Sequence, residues 1–364
     1  MAISRAKACA KRDEALEAFT HIGKFVSCTP YGNGHINDTF LAVSDTGKRY
    51  IFQRINTAIF PDLKGVMNNI VAVTRHIQRK VEEEGGLTDR CTLNVIPTNW
   101  GTRYFKDSIN SAWRMYEFIE HTIAKDRVDS LDEFSDCAEA FGRFQGLLSD
   151  FDASVLIEPI KDFHNTPVRY ENLMRAVEAD PCGRVASVKK EIEFAMERAE
   201  FAKTLEKARE SGELPLRVTH NDTKLNNILF DATSHKPVAV IDLDTVMPGY
   251  SVNDFGDSIR FGANTAAEDE KDLSKVSLDL ELYHAFAKGF LKGCNGKLTD
   301  KEIELMPIGA RMMTFECGMR FLTDYIEGDH YFRTSREGHN LDRCRCQFAL
   351  VADMERKEEQ MKLI

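Results

Sequence analysis

Two segments constrain this chain more than any others: Thr219-His220-Asn221-Asp222-Thr223-Lys224-Leu225-Asn226-Asn227 and Val240-Ile241-Asp242-Leu243-Asp244. An Asp stands five residues before an Asn, and another Asp follows fifteen residues on, just past an apolar run. Leu216 to Thr219 reads as a short strand entering a loop, and Asn226 to Phe230 as a second strand leaving it. Asp231 to Pro237 is polar and turn-rich, and Val238 to Ile241 is a β-branched run that predicts a third strand. A hairpin would therefore return Asp242 beside Asn227. Taken singly, each of these is an ordinary turn residue. Together they match what phosphoryl transfer requires. One carboxylate, Asp222, accepts the proton of an attacking hydroxyl. An amide oxygen, Asn227, and a second carboxylate, Asp242, hold the Mg²⁺ that neutralises a triphosphate.

Upstream, Tyr31-Gly32-Asn33-Gly34-His35 lies between two strand-like runs, where glycines let backbone amides approach a phosphate. The string is Gly-x-Gly-x-x-Asn, so a plain hairpin remains open. On the next strand Arg54 is the candidate cation for nucleotide phosphates, with a solvent-facing arginine as the bland alternative. The helical stretch Val66 to Val81 has no Glu to pair with that cation; either Asn68 or Asn69 substitutes or the pair is absent. Ser130-x-x-Glu133 predicts a capping box, and Phe134, Phe141 and Leu148 follow at core spacing. Lys224 lies where a cation would steady a transferring phosphoryl group, or is simply exposed. Asp244 either approaches the metal or balances loop charge. His220 is expected to be a buried structural histidine. Asp254-Phe255-Gly256 spells a metal-binding tripeptide, but Asp242 already fills that position; Asp254 is expected to cap a helix or brace the loop.

Composition excludes more than it assigns. A net charge of -10 argues against a nucleic-acid partner. No apolar run reaches membrane-spanning length, and the N-terminus lacks a signal-peptide core, so no membrane association is expected. Nine cysteines without a framework suit a reducing cytoplasm, and Cys344-Arg345-Cys346 reads as helical packing rather than a zinc site.

With these motifs in place, His-x-Asp-x-x-x-x-Asn followed by Ile-Asp-x-Asp resembles the aminoglycoside phosphotransferase and choline kinase superfamily over about residues 20 to 353. The resemblance implies an α+β, bilobal protein-kinase-like fold with a small N-terminal β lobe and a larger, mainly helical C-terminal lobe. The expected division is 1–117 for the nucleotide lobe and 118–364 for the catalytic and acceptor lobe. It implies ATP as donor and Mg²⁺ as cofactor, with the backbone of Glu117, Phe118 and Ile119 meeting the adenine edge. The strings Gly34-His35-Ile36-Asn37-Asp38-Thr39, Met247-Pro248-Gly249 and Gly318-Met319-Arg320-Phe321 are similar to the branch that phosphorylates N-acetylhexosamines at the anomeric hydroxyl. That likeness implies N-acetylglucosamine or N-acetylgalactosamine as the acceptor. It also implies sugar contacts from His35, Asp38, Asp222, Arg320 and Tyr331, in a monomer or weak dimer. The rival acceptors are choline, homoserine or another amino alcohol, or an aminoglycoside. A rival of another class is a catalytically weak nucleotide-binding regulator, motivated by the missing helix Glu and strand Lys.

Overall fold

The structure is a computed structural model that describes residues 11–32, 36–125, 127 and 130–363. Its strands are β1 (Phe25–Pro30), β2 (Asp38–Ser44), β3 (Arg49–Ile55), β4 (Val95–Ile96), β5 (Phe105–Lys106), β6 (Ala112–Glu117), β7 (Thr122–Ala124), β8 (Arg217–Thr219), β9 (Ile228–Asp231), β10 (Pro237–Val240) and β11 (Met247–Gly249). Its helices are α1 (Arg12–Leu16), α2 (Leu63–Glu83), α3 (Leu131–Leu147), α4 (Thr166–Ala179), α5 (Lys189–Glu197), α6 (Thr204–Glu210), α7 (Ser251–Gly262), α8 (Leu280–Cys294), α9 (Asp300–Glu304), α10 (Met306–Glu327), α11 (His339–Arg356) and α12 (Glu358–Met361). The fold is bilobal and α+β, with a small β-sheet lobe and a larger, mainly helical one. The first compact unit comprises residues up to 123 with 154–160 and 229–246; the second comprises 124–153, 161–228 and 247–364.

The first unit is built on an antiparallel sheet in the order β1-β2-β3-β6-β4, with β5 also on β6. Alternation along β2 and β3 turns Phe40, Ala42, Tyr50 and Phe52 to one face, and the register sets Phe40 opposite Phe52 and Phe52 opposite Met115. Trp113 stacks on Phe52 with ring centroids 4.7 Å apart, and its indole N–H is satisfied by Asp107 at 2.9 Å. Helix α2 starts where the Asp62 carboxylate accepts the Gly65 N–H at 2.9 Å. It buries Leu63, Val66, Met67, Ile70, Val73, Ile77 and Val81, a stripe of helical period. β9 and β10 form the expected hairpin, and β7 adds a third strand beside β9.

The second unit is helical around α10, whose Phe315, Met319, Leu322 and Ile326 share a core with Leu173 of α4 and Phe348 and Val351 of α11. Helices α3 and α8 meet backbone to backbone. A Cβ at Gly142 of α3 would stand 2.1 Å from the Phe290 carbonyl oxygen, and one at Gly293 of α8 would stand 2.2 Å from that of Glu139. Only glycine permits that approach. Phe134, Phe141 and Leu148 are buried as expected. Ser130 caps α3 through the Glu133 N–H at 3.2 Å, but the Glu133 carboxylate turns to Lys125 instead of closing the box. Cys344 and Cys346 are buried, free thiols on α11. Among the described residues no helix is long and apolar enough to cross a membrane.

Glu302 joins the elements that flank the second unit's loop 220–227. It closes a capping box with Thr299, takes Arg217 of β8 at 2.9 and 2.6 Å, and accepts the Ser251 hydroxyl of α7 at 2.7 Å. Burial would raise its carboxyl, yet these donors hold it below the usual 4.5. A depressed acid contributes stability above its unfolded pKa and loses it as pH falls through the folded value. Glu302→Gln is therefore expected to cost about 1–3 kcal/mol at pH 7. The gap to wild type should narrow below pH 4.5, as urea unfolding at both pH values would report. A gap independent of pH would show that the carboxylate charge is not what holds the junction.

Candidate active site

β8 pairs with β11, and between them in sequence runs the loop 220–227. Asp254, in the first turn of α7 and 1 % exposed, holds the start of that loop. Its carboxylate accepts the backbone N–H groups of His220 and Asn221, each at 2.8 Å, and the Gln145 amide at 2.6 Å. Burial pushes the Asp254 carboxyl up, against the pull of His220 and of those donors. The Thr223 hydroxyl donates to the Asp254 carbonyl at 2.7 Å. Asp254 is thus a brace, the second of the two roles expected for it. His220 is fully buried between the rings of Phe141 and Phe144, and its Nδ1 accepts the Asp222 N–H at 3.3 Å.

The braced backbone presents Asp222 half-buried, directly after Asn221, whose φ of 65° is left-handed. The Asn227 amide nitrogen donates to the Asp222 carbonyl at 2.8 Å and to its carboxylate at 3.2 Å. That spends the amide nitrogen and leaves Oδ1 as the atom of Asn227 suited to a cation. Lys224 Nζ stands 2.6 Å from the other Asp222 oxygen. Burial alone would depress the Lys224 ammonium, but Asp222 beside it raises it. The loop therefore carries a carboxylate, an amide oxygen and a cation within one turn of chain.

In the first unit, Asp242 follows β10 in a left-handed conformation, φ 61°, with its side chain exposed. Backbone strain of this kind collects at functional positions. Asp244 is 4 % exposed and committed. It takes both Nη groups of Arg114, which is 1 % exposed on β6, and the Asn37 amide at 2.6 Å. Arg114 Nε also reaches Gln53 at 2.9 Å. Burial works against the Arg114 charge, but Asp244 holds the guanidinium well above its usual value. Asp244 thus balances the Arg114 charge, while Asp242 lies exposed just past β10. Asn227 and Asp242 each carry a hard oxygen of the kind Mg²⁺ prefers.

Asn69 does not take the place of the absent helix Glu, since Arg54 pairs with Asp38 instead. Asn69 is 2 % exposed and bonds Ile157 O at 2.8 Å, Val246 O at 2.9 Å and the Ile157 N–H at 3.1 Å. It ties α2 to the backbone just past Asp244 with no charge involved. Arg54 pairs with Asp38 across β2 and β3, so each of these two predicted ligands is engaged by the other. Gly32 has φ 71°, and a Cβ there would meet nothing within 4 Å. Gly34 and His35 lie outside the described residues. The N–H groups of Glu117 and Phe118 are bonded to Asn94 O at 2.9 Å and Arg49 O at 3.2 Å. An adenine edge served by this stretch would use Ile119 or a carbonyl.

Arg320 and Tyr331 come together within the second unit, guanidinium to hydroxyl 3.5 Å, and line a cavity of about 370 Å³ with Arg169 and Arg175. Burial and the neighbouring Arg320 hold the Arg169 guanidinium below its usual value, while its Nη2 donates to Phe163 O at 2.9 Å. Two acidic residues also line the cavity: Asp324 is turned inward, accepting the N–H groups of His330, Tyr331 and Phe332 at 2.7 to 2.9 Å, and Glu327 is exposed. Sequence reasoning missed Arg114, Asn37 and Arg169. Arg114 alone carried a signal, a charge inside the otherwise apolar run Ala112-Trp113-Arg114-Met115-Tyr116.

Residues 27–274 match the phosphotransferase enzyme family. Among solved structures, the chain is similar to an aminoglycoside phosphotransferase from Alicyclobacillus acidocaldarius, at TM-score 0.58 and 13 % identity over 95 % of this chain and 96 % of that one. It is similar to a microcompartment-associated aminopropanol kinase at TM-score 0.58 and 14 % identity, over 98 % and 99 % of the two chains. It is also similar to the choline kinase of Cryptosporidium parvum Iowa II, at TM-score 0.53 and 15 % identity over 93 % and 91 %. Those identities establish a shared fold, and the match over more than half the chain establishes the lineage. This chain belongs to the phosphotransferase enzyme family.

Proposed function

We propose that this chain transfers the γ-phosphoryl group of ATP to the anomeric hydroxyl of an N-acetylhexosamine, giving the sugar 1-phosphate and ADP. The acceptor oxygen forms the new P–O bond, the bond from the γ-phosphorus to the β,γ-bridging oxygen breaks, and the hydroxyl proton passes to Asp222. An anomeric hydroxyl is more acidic than a simple alcohol, so a carboxylate base suffices. Lys224, paired to Asp222, keeps that carboxylate turned to one side and adds positive charge where the phosphoryl group develops negative charge. Mg²⁺, held by the Asn227 amide oxygen and Asp242, supplies charge neutralisation of the triphosphate. The nucleotide is assigned to Gly32 and the Glu117–Ile119 stretch, with Arg54 reaching its phosphates on release from Asp38.

The single observation that carries the acceptor assignment is the arginine wall. Arg169, Arg175 and Arg320 face one cavity, and Arg169 already bears the repulsion of Arg320. Such a wall donates hydrogen bonds to hydroxyl and acetamide oxygens, and its three guanidinium groups outnumber the Asp324 and Glu327 carboxylates, which disfavours an ammonium group. A second reading keeps the chemistry but takes a cationic amino alcohol or aminoglycoside. It is favoured by the acceptors in the names of the similar structures.

Phosphorus NMR after incubation with Mg²⁺, ATP and a panel of N-acetylglucosamine, N-acetylgalactosamine, free hexoses, choline and homoserine tests both. A product resonance split by an anomeric proton is expected. Product from the amino alcohols alone would replace the sugar assignment with the second reading. No product from any acceptor, with ATP bound, would overturn both.

A further inference from the structure

Beneath the loop lies a buried ionisable pair that the proposed chemistry does not use. His164, between Phe163 and the start of α4, has a side chain 9 % exposed; Glu316 of α10 has one 1 % exposed. His164 Nδ1 stands 2.7 Å from one Glu316 oxygen, and the Thr166 hydroxyl donates to the other at 2.7 Å. On the far side of the ring, Nε2 stands 3.3 Å from the Asn221 carbonyl oxygen. Burial would raise the Glu316 carboxyl, but His164 and its hydrogen bond bring it below the usual value. A carboxylate and a carbonyl are both acceptors, so the ring serves each by donating.

The Asn221 contact falls at a sensitive point. Asn221 holds the left-handed φ of 65°, and its carbonyl belongs to the peptide plane that leads into Asp222. Asp254 fixes the N–H side of Asn221, at 2.8 Å. His164 fixes the carbonyl side of the same residue. Two clamps on the two ends of one left-handed residue set the direction in which Asp222 leaves it. The segment that carries His164 also touches the arginine pair. The Phe163 ring lies 5.1 Å from the Arg320 guanidinium carbon, and its carbonyl accepts from Arg169. Glu316 sits one helical turn before Arg320 on α10.

We propose that His164 is a positioning residue for phosphoryl transfer: oriented by Glu316, it holds the Asn221 carbonyl and so aims Asp222 at the acceptor hydroxyl. This rests on the reaction assigned above. It also makes residues 162–164 the piece of chain shared by the arginine cavity and the loop.

Asn and Gln each reproduce one half of the imidazole, which makes the test specific. His164→Asn places its amide nitrogen where Nδ1 was and keeps the Glu316 contact. His164→Gln places it where Nε2 was and keeps the Asn221 contact. The expected result is a crossed order. His164→Asn melts near wild type, but its kcat falls about tenfold with KM for ATP and N-acetylglucosamine within about twofold. His164→Gln is the less stable variant, yet retains kcat within about threefold. If turnover instead follows stability, with Asn the better replacement, or if both variants keep full kcat, the proposal is overturned. Hydrogen exchange of residues 219–228 in the ligand-free protein gives a reading without catalysis, with faster exchange expected for His164→Asn than for His164→Gln. An inactive wild type would sink the assigned reaction, while the exchange order would still decide the role of His164.

Discussion

Asp222→Asn is expected to lower kcat by about 10²- to 10⁴-fold while ATP affinity stays within about twofold. The substitution keeps the side chain's shape and one oxygen, so one of the Asn227 and Lys224 side-chain contacts survives, and Asn227 keeps its bond to the residue 222 carbonyl. What it removes is the carboxylate proposed to take a proton from the attacking hydroxyl. The loop backbone should not move, because Asp254 and His220 hold it through main-chain atoms. Steady-state rates with N-acetylglucosamine, set beside calorimetric titration with a non-hydrolysable ATP analogue, separate chemistry from binding. A variant that keeps more than a tenth of the wild-type kcat would remove Asp222 from the role of base.

Arg114→Met is expected to destabilise the protein by about 3–5 kcal/mol, the cost of leaving a buried carboxylate without its partner. The alternative, a loss of about 0–1 kcal/mol, is what a surface pair would show. The 1 % exposure of Arg114 and 4 % of Asp244 decide between them. Asp244→Leu should be as damaging alone, because it strands a guanidinium. Combining the two should recover part of the loss, since no bare charge then remains; Asn37 still loses an acceptor. Urea unfolding of the two single variants and the double variant measures this. Strictly additive losses would show that the pair is not energetically coupled.

The loop, the hairpin and the helical second unit were legible because each leaves a local trace: strand propensity, turn composition, apolar period. The brace by Asp254 was legible for a similar reason, since an Asp soon after Pro248-Gly249 at a helix start has few other employments. The Arg114–Asp244 pair was not, because its partners are 130 residues apart and no local rule joins them. Arg54 was read as facing phosphate, and the register that sets it opposite Asp38 is a property of the sheet, invisible in either strand alone. His164 and Glu316 are 152 residues apart, one before a helix and one in the middle of another, and each looks unremarkable until the fold stacks them under Asn221. Residues that act through a short stretch of backbone announce themselves; residues that act by meeting across the fold do not.

The backbone contact between α3 and α8 has a reach beyond packing. Helix α3 carries Gln145, which holds Asp254, and the two rings that clasp His220. One added methyl at Gly142 would start more than 1 Å short of the 3.4 Å of ordinary contact, and would act as a shim under the whole assembly. The loop would tilt with the helix that supports it. A chain of this kind can therefore lose its chemistry through a change that touches no substrate and alters no charge. A survey of inactive variants should find some in that seam, far from anything that binds.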